Sequence, residues 1–128
     1  MTVRCFIVDD NQEFLEAARR LLEAEGITVV GIASNGAEAL RRVAELRPDV
    51  TLVDVNLGEE SGFDLAPRLA AATDGASSRV ILISTYAEGD LVDPTPTGRT
   101  FQFLSKTDLS GRAIRGAFRS RAEAPPDA

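Results

Sequence analysis

The stretch Val3-Arg4-Cys5-Phe6-Ile7-Val8-Asp9-Asp10-Asn11 decides the fold. An apolar run the length of one strand meets two consecutive carboxylates, and a helical pattern then begins. Runs that are apolar at nearly every position suit a strand buried on both faces of a parallel sheet. From Asn11 onward Phe14, Leu15, Ala18, Leu21 and Leu22 recur at helical spacing, and Gly26 supplies a stop. The alternation then repeats outward. Ile27 to Ala33 reads as a second strand, Ala37 to Arg47 as a second helix ended by Pro48, and Val50 to Val55 as a third, buried strand. Ser61-Gly62-Phe63-Asp64 has the form of a capping box opening a third helix, with Asp64 reaching back to the cap amide. Pro67 lies inside that helix, where it should remove one hydrogen bond and kink the axis. Val80-Ile81-Leu82-Ile83 is the most apolar run and belongs at the centre of a sheet. Phe101 to Leu104 is a fifth strand, and Ser110 to about Arg121 a last helix with Ile114, Ala117 and Phe118 facing inward. Between Ala87 and Thr100 a fourth helix is expected to be short or irregular, because Gly89, Pro94, Pro96 and Gly98 interrupt it. Strand–helix alternation of this kind implies right-handed crossovers and an α/β, doubly wound parallel sheet. Residues 1–121 form one domain, and residues 122–128, with Pro125-Pro126, are expected to be a flexible tail or linker stub.

Composition narrows the functional classes. The 128 residues are 44% apolar and 27% charged, an ordinary balance for one globular domain. A net charge of −6 argues against this domain gripping a nucleic-acid backbone by itself. No apolar run reaches transmembrane length, and Met1 leads into the first strand without the pattern of a signal peptide. Cys5 is the single cysteine, which excludes a disulfide framework and fits a reducing compartment; it reads as a small buried apolar residue. A cytoplasmic location is the expectation. The absence of histidine removes His-based triads, His metal sites and a His general base. Among 14 basic residues Lys106 is the lone lysine, which suggests a place that needs a compact ammonium. The arginines Arg19, Arg20, Arg41, Arg42, Arg112, Arg115 and Arg119 are expected on solvated helix faces.

In a doubly wound sheet, functional residues gather beyond the carboxyl ends of the strands. Here those ends carry Asp9-Asp10, Asp54, Ser84-Thr85 and Ser105-Lys106. Two carboxylates about 4 Å apart repel by roughly 4 kcal/mol at an effective dielectric near 20. Three of them call for a cation, and with oxygen ligands only the natural ion is Mg²⁺. A carboxylate beside Mg²⁺ and an ammonium can attack a phosphorus centre, because both cations neutralise charge on the phosphoryl oxygens.

In this order and spacing the residues resemble the receiver domains of two-component response regulators, over Val3 to about Arg121. The resemblance rests on Phe6-Ile7-Val8-Asp9-Asp10-Asn11, on Leu52-Val53-Asp54 with the segment Asn56 to Leu65, on Ser84 and on Lys106. It implies a flavodoxin-like (βα)5 fold with strand order 2-1-3-4-5. It also implies a phosphoacceptor role for Asp54, which would take a phosphoryl group from a phosphohistidine of a sensor histidine kinase or phosphotransfer protein. Asp10 would ligate Mg²⁺ directly and Asp9 mainly through water, with Asp54 and the Asn56 backbone carbonyl completing the protein ligands. Lys106 would pair with a phosphoryl oxygen, Ser84 would swing toward it, and Phe103 would move inward behind the hydroxyl as the switch. Asn56 and Tyr86 occupy positions beside the path of the hydrolytic water. Output would pass to a downstream protein, to a fused output domain or through a phosphorylation-linked dimer, and the only chemistry would be the domain's own phosphorylation and dephosphorylation.

Three departures stand out. Gly58 takes a place where proline is common, which predicts a more mobile loop after Asp54. Thr107 follows Lys106 where the family usually has a cis-linked proline, so a cis bond is not assumed. The interrupted fourth helix departs most. The alternatives are a degenerate receiver serving as an interaction module, an aspartyl-phosphate phosphatase of the haloacid-dehalogenase type, and a flavin-binding module. The phosphatases place their acidic metal pair after the lysine, and a flavin phosphate would be repelled by Asp9-Asp10.

Overall fold

The computed structural model describes residues 2–72, 79–85 and 102–123. The expected fourth helix, Tyr86, the Arg119 side chain and residues 124–128 of the expected tail lie outside the described residues.

The elements follow the apolar runs closely. They are β1 (Arg4–Val8), α1 (Gln12–Ala24), β2 (Thr28–Ala33), α2 (Gly36–Leu46), β3 (Val50–Asp54), β4 (Asn56–Leu57), β5 (Glu60–Ser61), α3 (Gly62–Ala72), β6 (Arg79–Ser84), β7 (Gln102–Ser105) and α4 (Gly111–Glu123). The main sheet has five strands in the order β2-β1-β3-β6-β7, every neighbour parallel. This is the expected order 2-1-3-4-5, with β6 and β7 as the fourth and fifth strands. The added element is the β4–β5 hairpin, which pairs Asn56 with Ser61 and Leu57 with Glu60. Two residues per strand give no periodicity to detect.

Side-chain alternation along the strands builds two cores, one on each face of the sheet. Cys5 and Ile7 of β1, Val50 and Leu52 of β3, and Ile81 and Ile83 of β6 pack under Leu15, Ala18 and Leu22 of α1 and Ile114 of α4. Phe6 and Val8, Val53, and Val80 and Leu82 point the other way, under Ala39 and Val43 of α2 and Leu65, Ala66 and Leu69 of α3. The central strand β3 is buried along its whole length, its polar Thr51 included. Each fully buried aliphatic side chain contributes about 1.5–3 kcal/mol relative to exposure.

Helix ends are fixed by side chains. Asn11 Oδ1 accepts the Phe14 amide at the start of α1, and Asn35 Oδ1 accepts the Glu38 amide at the start of α2. Glu38 returns the bond by accepting from the Ser34 amide. Arg4 donates to the Leu46 and Arg47 carbonyls and so caps the carboxyl end of α2. At α3 only half of the expected capping box forms. Ser61 Oγ accepts the Phe63 amide at 3.2 Å. Asp64 makes no return bond among the described residues. The helix runs on through Pro67 to Ala72 without ending. α4 continues to Glu123, so Ala122 and Glu123 belong to the helix rather than to the expected tail.

Two arginines expected on solvated faces bond to backbone carbonyls of other elements. Arg42 donates to the Ile32 carbonyl and lies 5.8 Å from the Phe6 ring centroid. Arg115 donates to the Glu25 carbonyl, and the Glu25 carboxylate accepts from the Gly111 amide. In each case a long side chain reaches from its helix to a carbonyl on another element.

Cys5 is fully buried in β1, and burial pushes its thiol up to about 12. A folded-state value above the unfolded one means that this contribution to stability is present below about pH 9 and is lost as the pH rises toward 12. A thiol reagent at pH 8 is expected to leave the native protein unmodified and to label one cysteine per chain once the protein is unfolded in urea. Labelling of the native protein at the unfolded rate would place Cys5 outside the core.

Candidate functional site

Parallel strands end on the same side of the sheet, and this places the carboxyl termini of β1, β3, β6 and β7 around one depression. Its volume is about 250 Å³, and Asp9, Asp10, Asp54, Asn56, Ser84 and Lys106 all line it. The three carboxylates each contribute an oxygen to a group lying within 4.8 Å of one another.

Asp9 and Asp54 are held in the same way. Asp9 Oδ1 accepts the Asn11 amide at 2.9 Å, and Asp54 Oδ1 accepts the Asn56 amide at 3.1 Å. Each bond reaches two residues forward, the local turn that Asp favours where a strand stops. The second oxygens face the lysine. Lys106 Nζ stands 2.6 Å from Asp9 Oδ2 and 3.2 Å from Asp54 Oδ2. The same ammonium lies 4.2 Å from the Phe14 ring centroid, in cation–π contact. Asp9 and Asp54 are buried while Asp10 is exposed at the rim.

Burial raises the Asp54 carboxyl above its ordinary value. The Asn56 amide pulls it back, the Asp9 charge pushes it further up, and Lys106 lowers it; the net direction is upward. For Lys106 burial alone would lower the ammonium, but the hydrogen bond and charge of Asp9 and of Asp54 outweigh it. Its net shift is therefore upward. One ammonium against three carboxylates leaves an excess of negative charge. The donor set is all oxygen, which fits a hard divalent cation such as Mg²⁺ better than a soft metal.

The remaining backbone supports are close-fitting. Gly62 donates to the Val55 carbonyl at 2.9 Å, and a Cβ at Gly62 would overlap the Asp54 carbonyl oxygen. Only glycine lets α3 begin against the end of β3. Gly58 turns the hairpin with φ 71°.

The structure brings Asp9, Asp10, Asp54, Asn56, Ser84 and Lys106 together, with Ser84 buried at the end of β6. It does not bring Phe103 to the pocket. Phe103 is half-buried in the core beneath α3, its ring centroid 5.7 Å from that of Phe63. Tyr86 lies outside the described residues. The Lys106–Thr107 peptide is trans. Sequence reasoning missed Phe14 and Asn11 as site residues. Asn11 carried a signal, a helix-capping residue directly after the acidic pair; Phe14 carried none, since its contact with Lys106 joins chain segments far apart.

A profile of the response regulator receiver domain matches residues 5–113, and the chain belongs to that family. Phosphorylation on an aspartate and dependence on Mg²⁺ are typical of these domains of two-component systems. The chain is 38% identical over 86 residues to the uncharacterized transcriptional regulatory protein YvfU of Bacillus subtilis, covering 66% of this chain and 42% of that protein. It is 35% identical over 86 residues to a protein-glutamate methylesterase/protein-glutamine glutaminase of Hahella chejuensis, covering 67% of this chain and 24% of that one. The chain thus spans well under half the length of these relatives. Among solved structures it resembles the signal receiver domain of the putative response regulator NarL from Mycobacterium tuberculosis, with TM-score 0.76, 30% identity, and 94% and 98% of the two chains covered. The signal receiver domain of a modulated diguanylate cyclase from Desulfovibrio desulfuricans G20 superposes with TM-score 0.79 at 29% identity, covering 95% of this chain and 98% of that one.

Removing Asp10 takes one charge out of the cluster without touching the buried pair. Asp10→Ala is expected to raise the thermal midpoint of the metal-free protein by about 3 °C. The upward shift that Mg²⁺ gives the native sequence is expected to vanish in the variant. Calorimetry with EDTA and with Mg²⁺ checks both, and an unchanged Mg²⁺ response would remove Asp10 from the ligand set.

Proposed function

We propose that this domain accepts a phosphoryl group on Asp54 in a Mg²⁺-dependent reaction and thereby switches its interactions in a phosphorelay. The observation that supports this reading best is the lysine held between two buried carboxylates beside a third, exposed one. Mg²⁺ bound by Asp10, Asp54 and the Asn56 carbonyl, with Asp9 acting mainly through water, would supply a positive charge to the phosphoryl oxygens. Burial keeps the Asp54 carboxylate more basic than an ordinary one and so a better nucleophile. The Asn56 amide on one oxygen and Lys106 on the other fix its rotamer before the donor arrives. In the transfer a new bond joins phosphorus to an Asp54 oxygen as the phosphorus–nitrogen bond of a phosphohistidine breaks. Lys106 leaves Asp54 for the incoming phosphoryl oxygens, and Ser84 turns toward them.

The donor is a sensor histidine kinase or a phosphotransfer protein. The readout is a downstream protein, a fused output domain or a phosphorylation-linked dimer. Phe103 acts as the switch by giving up its contact with Phe63, and the Asn56 side chain and Tyr86 set the hydrolysis rate. The receiver unit extends to the end of α4 and works in the cytoplasm, with no nucleic-acid contact of its own. Among the described residues no helix is long and apolar enough to cross a membrane.

With Mg²⁺ and acetyl phosphate, intact mass is expected to rise by one phosphoryl group, and Asp54→Asn is expected to abolish the gain because an amide forms no acyl phosphate. Equal labelling of Asp54→Asn would sink the assignment. Lys106→Arg keeps the charge but not the compact ammonium that fits between Asp9 and Asp54. It is expected to bind Mg²⁺ normally and to phosphorylate about tenfold more slowly, the effect of one misplaced charge-assisted contact. A native rate would show that the solitary lysine is an accident of composition.

A further inference from the structure

The β4–β5 hairpin carries more than its length suggests. Its first residue, Asn56, lines the pocket and donates its amide to Asp54 Oδ1. Its turn residue, Gly58, comes close to the rim carboxylate, for a Cβ there would stand 3.4 Å from Asp10 Oδ2. The hairpin thus borders two of the three carboxylates. Its fastenings are few. Leu57 is buried, Gly62 bonds back to Val55, and two ladder pairs close it. Glycine at the turn adds no stiffness.

One further bond crosses to another element. Glu60 Oε1 accepts the amide of Gly36, the first residue of α2, at 2.8 Å. The amide is one of the donors that a helix leaves unpaired at its amino end, and the dipole there favours a carboxylate. Asn35 and Glu38 already cap the neighbouring amides of this end, so Glu60 takes one that they leave over. Gly36 makes room for it, since a Cβ would stand 2.5 Å from Glu60 Oε2. In the ladder Glu60 is paired with Leu57, next to Asn56. A pull on Glu60 is therefore felt at Asn56 through one ladder step.

We propose that Glu60 is a positioning residue of the acidic pocket: by fastening the β4–β5 hairpin to the first turn of α2, it holds Asn56 against Asp54. This rests on the reading of the pocket as a phosphorylation site. The bland alternative is a surface carboxylate that stabilises α2 and nothing else. The two differ in where the effect of removing it appears. A helix cap lowers overall stability, whereas a hairpin clamp also loosens the Asn56 amide and weakens the cation site.

The test compares Glu60→Ala with Glu60→Gln, whose side-chain oxygen still accepts the Gly36 amide. In Glu60→Ala, hydrogen exchange at the Asn56 amide under native conditions is expected to speed up about threefold, the share of one ordinary hydrogen bond, while amides in the centre of β3 change less. The Mg²⁺ dissociation constant is expected to rise by about the same factor. Glu60→Gln is expected to restore both. Lower stability with native Asn56 exchange and native Mg²⁺ affinity would overturn the proposal, as would Glu60→Gln behaving like Glu60→Ala. A native sequence that binds no Mg²⁺ would instead sink the proposed function, and Asn56 exchange would still decide the clamp.

Discussion

The contact on which the site depends is the ammonium of Lys106 set between the carboxylates of Asp9 and Asp54, with the Phe14 ring on another side. Parallel strands force their last side chains together, and here those side chains carry like charge. At an effective dielectric near 20, a pair of carboxylates about 4 Å apart costs roughly 4 kcal/mol. A single cation facing both buried oxygens offsets much of that, and it does so without closing the rim. The exposed Asp10 is left without a described cationic partner, which keeps the pocket attractive to a divalent ion. Taking Lys106 away would leave buried charges uncompensated, a loss larger than the net worth of the pair itself.

The scaffold makes this arrangement rigid where chemistry requires it. β3 is buried on both faces, so Asp54 ends a strand that has no freedom to shift. Gly62 admits the start of α3 directly against the Asp54 carbonyl, which no other residue would allow. The two buried aspartates spend one oxygen each on a local amide and keep the other for the lysine. That division of labour orients both carboxylates through the backbone, and backbone positions are what a packed α/β core defines best.

The sequence carried most of the fold because its strands are short and largely apolar, and α1, α2 and α3 each show helical spacing between them. The run Val80 to Ile83 lies within β6, and the edges of α1, α2 and β3 fall within one or two residues of the positions read from capping residues and Pro48. What escaped was the β4–β5 hairpin, too short for any period, and the half-formed cap at Ser61. Two of the arginines differ from the expectation of a solvated face for a related reason, while Arg19, Arg20, Arg41 and Arg112 are exposed. Arg42 and Arg115 look solvated on a helical wheel, yet each reaches a carbonyl on a different element.

The sequence by itself determined which residues bear the charge of the site, because strand ends and a lone lysine are local facts. It also determined the class of fold, since burial on both faces demands apolar runs and helices on both sides. Only the tertiary structure decided which oxygen of each aspartate faces the lysine, that Phe14 covers the ammonium and that Glu60 reaches α2. It also set Phe103 against Phe63 rather than at the pocket. These contacts join segments remote in the chain, and their geometry depends on how helices settle on the sheet. Local pattern specifies what each segment is; distances between segments come from packing.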